Sequence, residues 1–404
     1  MKKITLTHTI FAGIILGIAG GSLLGSAILP LAEPLATLFL RLLRMVIMPL
    51  IITSILSGVL SIGTARGLGS LGLKTGIYYI TTSLLAICTG QLLVNIFRPG
   101  AGAEIGLQQQ VTELPAADQN IKDLLFRIIP ENPFQAVANG DVLPVIFFCI
   151  LFGFFITRLE DDYRLPLTRV IQGAFEAMMQ ITRLVLWLAP LGVFGINAKL
   201  VATTGFGAFK SLGFYFLIIL AGLFIHALIS LPLLLKLVGR VKPLKHYRNL
   251  LPVFFTAFST SSSMATLPVN LECTHKGSGV SEKITNFTLP IGATVNMDGT
   301  ALYECVAVIF IAQVYGIELS IGKQFIVVLT SLLVSIGAAG IPMVGLVMMS
   351  IILRAVNLPL EGVGIILAVD RILDMFRTTV NVLSDSCGAV IVARLEGEAL
   401  EKIR

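Results

Sequence analysis

Apolar residues run through this chain in blocks of about 20 or more, long enough to span a bilayer as helices. They lie near residues 8–31, 35–62, 73–98, 132–158, 170–204 and 208–238. Continuous runs, rather than alternating segments of about ten residues, predict helices and not a barrel. Polar interruptions predict where the helices break. Ala138-Asn139-Gly140-Asp141 breaks the fourth block, and Pro190 with Gly192 kinks the fifth. Arg41 and Arg44 open the second and are expected to snorkel or to line the interior. The first block lacks a small-residue cleavage site and is expected to remain as the first helix of the bundle.

Beyond residue 245 the pattern changes. Leu250 to Phe258 is apolar for only about nine residues, Ser259-Thr260-Ser261-Ser262-Ser263 follows, and Met264 to Leu271 is again short and apolar. Neither half crosses about 30 Å at 1.5 Å per residue. Lys245 and Arg248 on one flank, and His275 and Lys276 on the other, predict that both ends face the cytoplasm: a re-entrant hairpin with a serine-rich tip. Residues 284–314 form a span broken by Asn296-Met297-Asp298-Gly299-Thr300. A second hairpin follows, with arms Phe325–Ile336 and Met343–Val356 and the tip Gly337-Ala338-Ala339-Gly340-Ile341-Pro342. The last span is 362–393. The fold class is therefore an all-α polytopic membrane protein, with eight transmembrane helices and two re-entrant hairpins entering from opposite sides. Such a pattern is the trace of an inverted repeat.

Composition agrees. The 404 residues are 55% hydrophobic and 13% charged, with a mean hydropathy of +0.91, against about 25% charged for soluble domains. That excludes an ordinary soluble enzyme, a disordered chain and a disulfide scaffold. The net charge of +6 does not indicate nucleic acid, because basic residues cluster at short loops, as at Lys236, Arg240, Lys242, Lys245 and Arg248. The polar loop 99–131 instead carries Glu104, Glu113, Asp118, Asp123 and Glu131. The positive-inside rule puts the basic loops and both termini in the cytoplasm, with the acidic loop outside; the expected location is the plasma (inner) membrane. The five cysteines show no metal-ligand spacing and are read as packing residues.

The last span carries the most chemistry. At 100° per residue, Asp370, Asp374, Arg377, Asn381 and Asp385 project to roughly 0°, 40°, 340°, 20° and 60°, one face of an otherwise apolar helix. Each ionised group at membrane depth costs at least about 2.5 kcal/mol, so the stripe pairs internally or binds something. A buried ion-pair network that fixes packing is one reading. The other is a zwitterion and cation site, with a carboxylate for an ammonium, the guanidinium for a carboxylate, and a second carboxylate for a metal cation. Unwinding at Asn296–Thr300 would free oxygen ligands fit for Na⁺. The serine tip suits an anionic group. A serine hydrolase would need a base, and the one intramembrane histidine, His226, is read as a satisfied core residue. The hydroxyls of Tyr78-Tyr79-Ile80-Thr81-Thr82-Ser83 could simply bond back along their own helix.

Together these motifs resemble the glutamate transporter family, comprising the excitatory amino acid transporters and their prokaryotic sodium-coupled homologues. The resemblance rests on four motifs in order. They are the serine tip running into Thr266-Leu267-Pro268; Asn296-Met297-Asp298-Gly299-Thr300; Ser335-Ile336-Gly337-Ala338-Ala339-Gly340 with Pro342; and Asp374-Met375-Phe376-Arg377-Thr378 with Asn381-Val382 and Asp385. It implies a homotrimer in the lipid bilayer, working by an elevator motion. Residues 1–72 (helices 1 and 2) and 99–207 (outer loop, helices 4 and 5) would be the scaffold. Residues 73–98 (helix 3) and 208–404 (helix 6, hairpin 1 about 245–276, helix 7, hairpin 2 about 322–356, helix 8) would be the transport domain.

It also implies site roles for L-aspartate or L-glutamate. Asp374 with Thr378 would hold the ammonium, Asn381 and Ser263 with backbone at Ser261 and Ile341 the α-carboxylate, and Arg377 with Thr300 the side-chain carboxylate. One Na⁺ would use Asp385 with carbonyls of Gly292, Asn296 and Asn381. A second would use carbonyls of Thr294, Ser335, Ile336 and Ala338. A third would use Tyr79, Thr82, Ser83, Asn296 and Asp298. Glu304, after Tyr303, matches the proton carrier of animal members and implies H⁺ co-transport, while K⁺ counter-transport is left open. Archaeal members carry an arginine where Ser261 stands, and animal members carry one where Met375 stands; Arg371 is the candidate replacement. The alternative is a Na⁺- or H⁺-coupled carrier of neutral amino acids or C4-dicarboxylates. Arg377 argues against the former and Asp374 against the latter.

Overall fold

A computed structural model describes residues 6–63, 70–102, 129–204, 207–336 and 344–403. Most of the acidic loop and the tip of the second hairpin, with Ala338 and Ile341, lie outside the described residues. Among those described the chain is helical and has no strand.

Helix α1 (Leu6–Leu24) passes through a single 3₁₀ turn, Gly25–Ile28, into α2 (Leu29–Gly63). Gly25 takes φ +51° there, a conformation that favours glycine. Then come α3 (Ser70–Phe97), α4 (Pro133–Asn139) and α5 (Val142–Ile156). The break between the last two falls where the polar tetrad predicts it. Asn132 caps α4 by accepting from the backbone N–H groups of Phe134 and Gln135, and Gly140 ends it at φ +77°.

The fifth block differs from expectation. It begins as α6 at Asp161 rather than near 170, with Asp161 and Asp162 in its first turn, where the helix dipole favours acids. It ends at Trp187, and α7 (Ala189–Thr204) leaves at 50°. The expected bend at Pro190 is therefore present, as a break: Pro190 lies in the first turn of α7, where its missing N–H is harmless.

Helix α8 (Gly207–Ile225) runs through a π-helical turn, His226–Ser230, into α9 (Leu231–Leu237). Pro232 explains the wide turn: a proline in a regular helix removes one hydrogen bond and crowds the carbonyl four residues back. The first hairpin is α11 (Leu251–Thr260) and α12 (Ser263–Glu272), preceded by α10 (Pro243–Asn249). The seventh block splits into α13 (Glu282–Val295) and α14 (Asp298–Val314). The second hairpin has arms α15 (Ile321–Ile336) and α16 (Val344–Ala355), and α17 (Val363–Leu395) follows.

Four stretches among the described residues are long and apolar enough to cross a membrane: Ala12–Leu60, Ser70–Phe97, Ser211–Leu237 and Glu282–Val314. Helix α17 is as long, but it carries charge. The helices pack as two groups. In one, α1 and α2 lie on α7, with α5 and α6 against α2. Gly13, Gly17 and Gly21, one turn apart, let α1 approach α7 so closely that a Cβ at these positions would fall 2.5–2.6 Å from the carbonyl oxygens of Pro190, Phe194 and Ala198. In the other group, α3, α8 and both hairpins surround α14 and α17, and α14 is buried along almost its whole length. The groups meet where Gly58 abuts the carbonyl of Ile336, where Gly140 abuts the guanidinium of Arg354, and where Gly364 abuts Ile196.

Candidate functional site

The polar stripe of α17 is buried in full: Asp370, Asp374, Arg377, Thr378, Asn381 and Asp385 all lie inside the second group. Facing it is the α13–α14 break. Asn296 (φ −94°, ψ 85°) and Met297 (φ −113°, ψ 53°) leave helical geometry, which frees carbonyls at the end of α13, Thr294 among them, from the helical ladder. Asn381 reaches across. Its Oδ1 accepts from the backbone N–H groups of Gly299 (2.7 Å) and Thr300 (3.4 Å), and its Nδ2 donates to Thr300 Oγ1 (3.1 Å). A side chain of α17 thus caps the first turn of α14.

Two charged clusters lie along α17. In the first, Arg377 donates to Asp374 Oδ1 through Nη2 (2.8 Å) and Nε (3.2 Å), and its Nη1 lies 3.2 Å from Asp370 Oδ1. The guanidinium stacks 4.1 Å over the Tyr303 ring. Gly345 makes room for it, since a Cβ there would fall 2.8 Å from Nη1. Arg371 Nη1 donates to the other oxygen of Asp374 at 3.3 Å, so Asp374 sits between two guanidiniums. This buried pair of opposite charges is complementary to a zwitterion, whose carboxylate can replace Asp374 at Arg377 while its ammonium replaces Arg377 at Asp374.

The tip of the first hairpin lies beside α17. Asn270 Nδ2 donates to the Val382 carbonyl (3.3 Å), and the Phe258 and Phe376 rings meet edge-on at 5.1 Å. Ser261 is left-handed (φ +50°) and buried, with no hydrogen-bond partner for its hydroxyl among the described residues. Ser262 Oγ accepts from the N–H of Ala265 and caps α12, and Ser263 is buried. Glu304 is buried, and neither carboxyl oxygen has a hydrogen-bond partner among the described residues.

The second cluster collects oxygens. Asp298 Oδ1 accepts from Ser83 Oγ (2.6 Å), and its Oδ2 accepts from Ser384 Oγ (2.6 Å) and lies 3.0 Å from His226 Nε2. Asn296 Nδ2 donates to Asp385 Oδ1 (2.9 Å) and Ser384 Oγ (3.0 Å), and Thr82 Oγ1 lies 3.4 Å from Asn296 Oδ1. Tyr79 Oη donates to the Thr288 carbonyl at 2.7 Å. Gly292 has no room for a side chain: a Cβ would fall 2.6 Å from Asp385 Oδ1 and 2.8 Å from Tyr79 Oη. Carboxylate, amide and hydroxyl oxygens in one buried place form a donor set suited to a hard cation. Accordingly, Gly292→Ala should displace Asp385 and destabilise the fold by about 1–3 kcal/mol, the usual cost of overpacking a core; thermal melting against the parent checks this.

The structure therefore unites Tyr79, Thr82, Ser83, Gly292, Asn296, Asp298 and Asp385, and separately Thr300 with Asn381 and Asp374 with Arg377. Among the described residues no hydrogen bond joins Thr294 to the second hairpin: Thr294 Oγ1 donates to the Ile291 carbonyl, and Ser335 Oγ to the Leu332 carbonyl. Three participants escape the sequence-based site. Ser384 lies at about 320° on the α17 wheel, within reach of the stripe, and its periodicity would have found it. Asp370 shares the stripe but has no role there; here it is an ion partner of Arg377. His226, expected as a satisfied core residue, is buried and bonded through Nε2 to Asp298, which brings it into the cluster; an ionisable group within a span is the signal that could have found it.

Comparison with known proteins agrees with this geometry. Residues 6–395 match the model of the sodium:dicarboxylate symporter family. The chain is 34% identical to a proton/sodium-glutamate symport protein of Bacillus caldotenax, over 100% of this chain and 97% of that one. It is 35% identical to a proton/glutamate-aspartate symporter of Escherichia coli strain K12, over 98% and 93%. It is also 35% identical to excitatory amino acid transporter 3 of Mus musculus, over 91% and 79%. Its described helices, their buried charge clusters and these full-length similarities make the chain a member of the sodium:dicarboxylate symporter family.

Proposed function

We propose that the chain is a secondary active transporter, not an enzyme, that couples Na⁺ to the uptake of acidic amino acids, aspartate or glutamate. The observation that carries this reading is the Asp374–Arg377 pair, buried and adjacent to a separate oxygen cluster around Asp298 and Asp385. Within the protein the two recognition groups pair with each other. An amino acid with a second carboxylate exchanges this one pair for two: its ammonium goes to Asp374, beside Thr378, and its side-chain carboxylate goes to Arg377 and Thr300. Asn381, Ser263 and the backbone at Ser261 and Ile341 receive the α-carboxylate. Na⁺ supplies the positive charge that the buried carboxylates Asp298 and Asp385 otherwise lack.

The two clusters share the α13–α14 break, so ordering one side of it by Na⁺ prepares the other for substrate. We assign three Na⁺ sites: Asp385 with Gly292, Asn296 and Asn381; Thr294 with Ser335, Ile336 and Ala338; and Tyr79, Thr82 and Ser83 with Asn296 and Asp298. Glu304, buried and with no hydrogen-bond partner among the described residues, is the proton carrier in this reading.

The helix group with α1, α2, α5, α6 and α7 serves as a trimeric scaffold in the plasma membrane, with both termini cytoplasmic, and the other group is the moving transport domain. The second hairpin lies on α2 and α5, while Leu251, Phe255 and Met264 of the first stay exposed. This arrangement supports an elevator at the cytoplasmic end of its travel.

Labelled aspartate and glutamate uptake into proteoliposomes, with Na⁺, H⁺ and K⁺ gradients imposed one at a time, tests the reading. Uptake should require inward Na⁺, and uptake without Na⁺ dependence would overturn it.

A further inference from the structure

We propose that His226 is a positioning residue for the cation site at Asp298. The proposal rests on the reading of that cluster as a Na⁺ site. His226 is fully buried, opens the π-helical turn between α8 and α9, and lies with Nε2 3.0 Å from Asp298 Oδ2. π-helical turns inside longer helices concentrate at functional sites, because the extra residue redirects side chains. The other ring nitrogen, Nδ1, is also buried and has no hydrogen-bond partner among the described residues. An apolar side chain would fill the same space without leaving a polar atom unsatisfied. What distinguishes the histidine is its bond to Asp298.

That bond completes a three-sided hold on one carboxylate. Ser83 of α3, Ser384 of α17 and His226 each meet Asp298, the first residue of α14. A carboxylate offers about four lone-pair directions, so three contacts fix its rotation and leave acceptor capacity for a cation. Facing a carboxylate acceptor, Nε2 is the donor of this bond, which orients Asp298. Asp374 is the contrast: it is flanked by two guanidiniums, which compete with any other cation for it. On one broken-span framework, then, one carboxylate is held by guanidiniums that a substrate ammonium displaces. The other is held by two hydroxyls and an imidazole, with no guanidinium in ion-pair distance among the described residues, and is left open to Na⁺. Groups that orient metal ligands in this way typically change affinity by about 10- to 100-fold when removed.

The test uses the full-length protein with His226→Leu, which fills the space without a donor, and His226→Gln, which keeps an N–H. Two readouts are needed: the Na⁺ dependence of aspartate uptake in proteoliposomes, and the Na⁺-dependent rise in melting temperature in detergent without amino acid. His226→Leu should raise the half-effective Na⁺ concentration by about 10-fold in both, while the half-saturating aspartate concentration at saturating Na⁺ changes by less than about 2-fold. His226→Gln should recover most of the Na⁺ affinity. Unchanged Na⁺ dependence in a folded leucine variant would overturn the proposal. So would a glutamine variant as impaired as the leucine one, since the ring would then act by packing. If the leucine variant does not fold, His226→Met, unbranched and without a donor, takes its place with the same outcomes. Loss of Na⁺ dependence in the unmodified protein would instead overturn the symport reading, a distinct result.

Discussion

Replacing Arg377 with threonine should reduce aspartate uptake at limiting substrate by about 100-fold or more, in the range for truncating one partner of a buried charge pair. The guanidinium is buried, donates twice to Asp374, pairs with Asp370 and stacks on Tyr303. No other described cation meets Asp370 within ion-pair distance. Threonine therefore removes the partner for the substrate's second carboxylate and also leaves Asp370 without its counter-ion. Unpaired buried charge is strongly destabilising, so loss of transport could reflect loss of fold. Combining Arg377→Thr with Asp370→Asn removes that ambiguity by deleting the stranded charge. The double variant should melt near the parent and still fail to take up aspartate. Serine or alanine uptake by it would be the positive counterpart, because those substrates bring no second carboxylate. Retained aspartate transport in the double variant would show that Arg377 does not read the side chain.

Asp385→Asn should have the second large effect, on Na⁺ rather than on substrate. Asp385 Oδ1 accepts the amide of Asn296 at 2.9 Å and lies where a side chain on Gly292 would collide with it. Asparagine is nearly isosteric but removes the negative charge, and it can turn an amide N–H₂ toward that of Asn296. The half-effective Na⁺ concentration should rise by at least about 10-fold, since disturbing even the supports of a cation site has that effect. At saturating Na⁺, aspartate should still bind, because Asp374 and Arg377 are untouched. A Na⁺ titration at fixed aspartate, then an aspartate titration at high Na⁺, separates the two. An Asp385→Asn variant with the parental Na⁺ requirement would remove Asp385 from the site.

Much of the candidate site is legible in the chain itself, for a definite reason. Helical period is a local property, so the shared face of Asp370, Asp374, Arg377, Asn381 and Asp385 follows from spacing alone. A charged residue in an apolar span is conspicuous because lipid excludes it. Broken spans are equally visible where Asn, Asp and Gly interrupt an apolar run, and both α4–α5 and α13–α14 part where the polar residues stand. Helix ends set by caps and dipoles are harder to see. The early start of α6 at Asp161, and the size of the 50° bend before Ala189, depend on how two helices meet.

The sequence by itself determined that this is a membrane-type helical chain, which spans break, and which polar residues line the last helix, because hydropathy and period act over one helix at a time. Only the tertiary structure decided which of those residues meet. Asp298 finds His226 72 positions away and Ser83 215 positions away, and Asn296 finds Asp385 89 positions away. Those meetings are set by which helix faces pack together, and no pattern within a single helix encodes its partner. That is why His226 reads in sequence as a buried histidine in an apolar span and in space as the third support of a carboxylate.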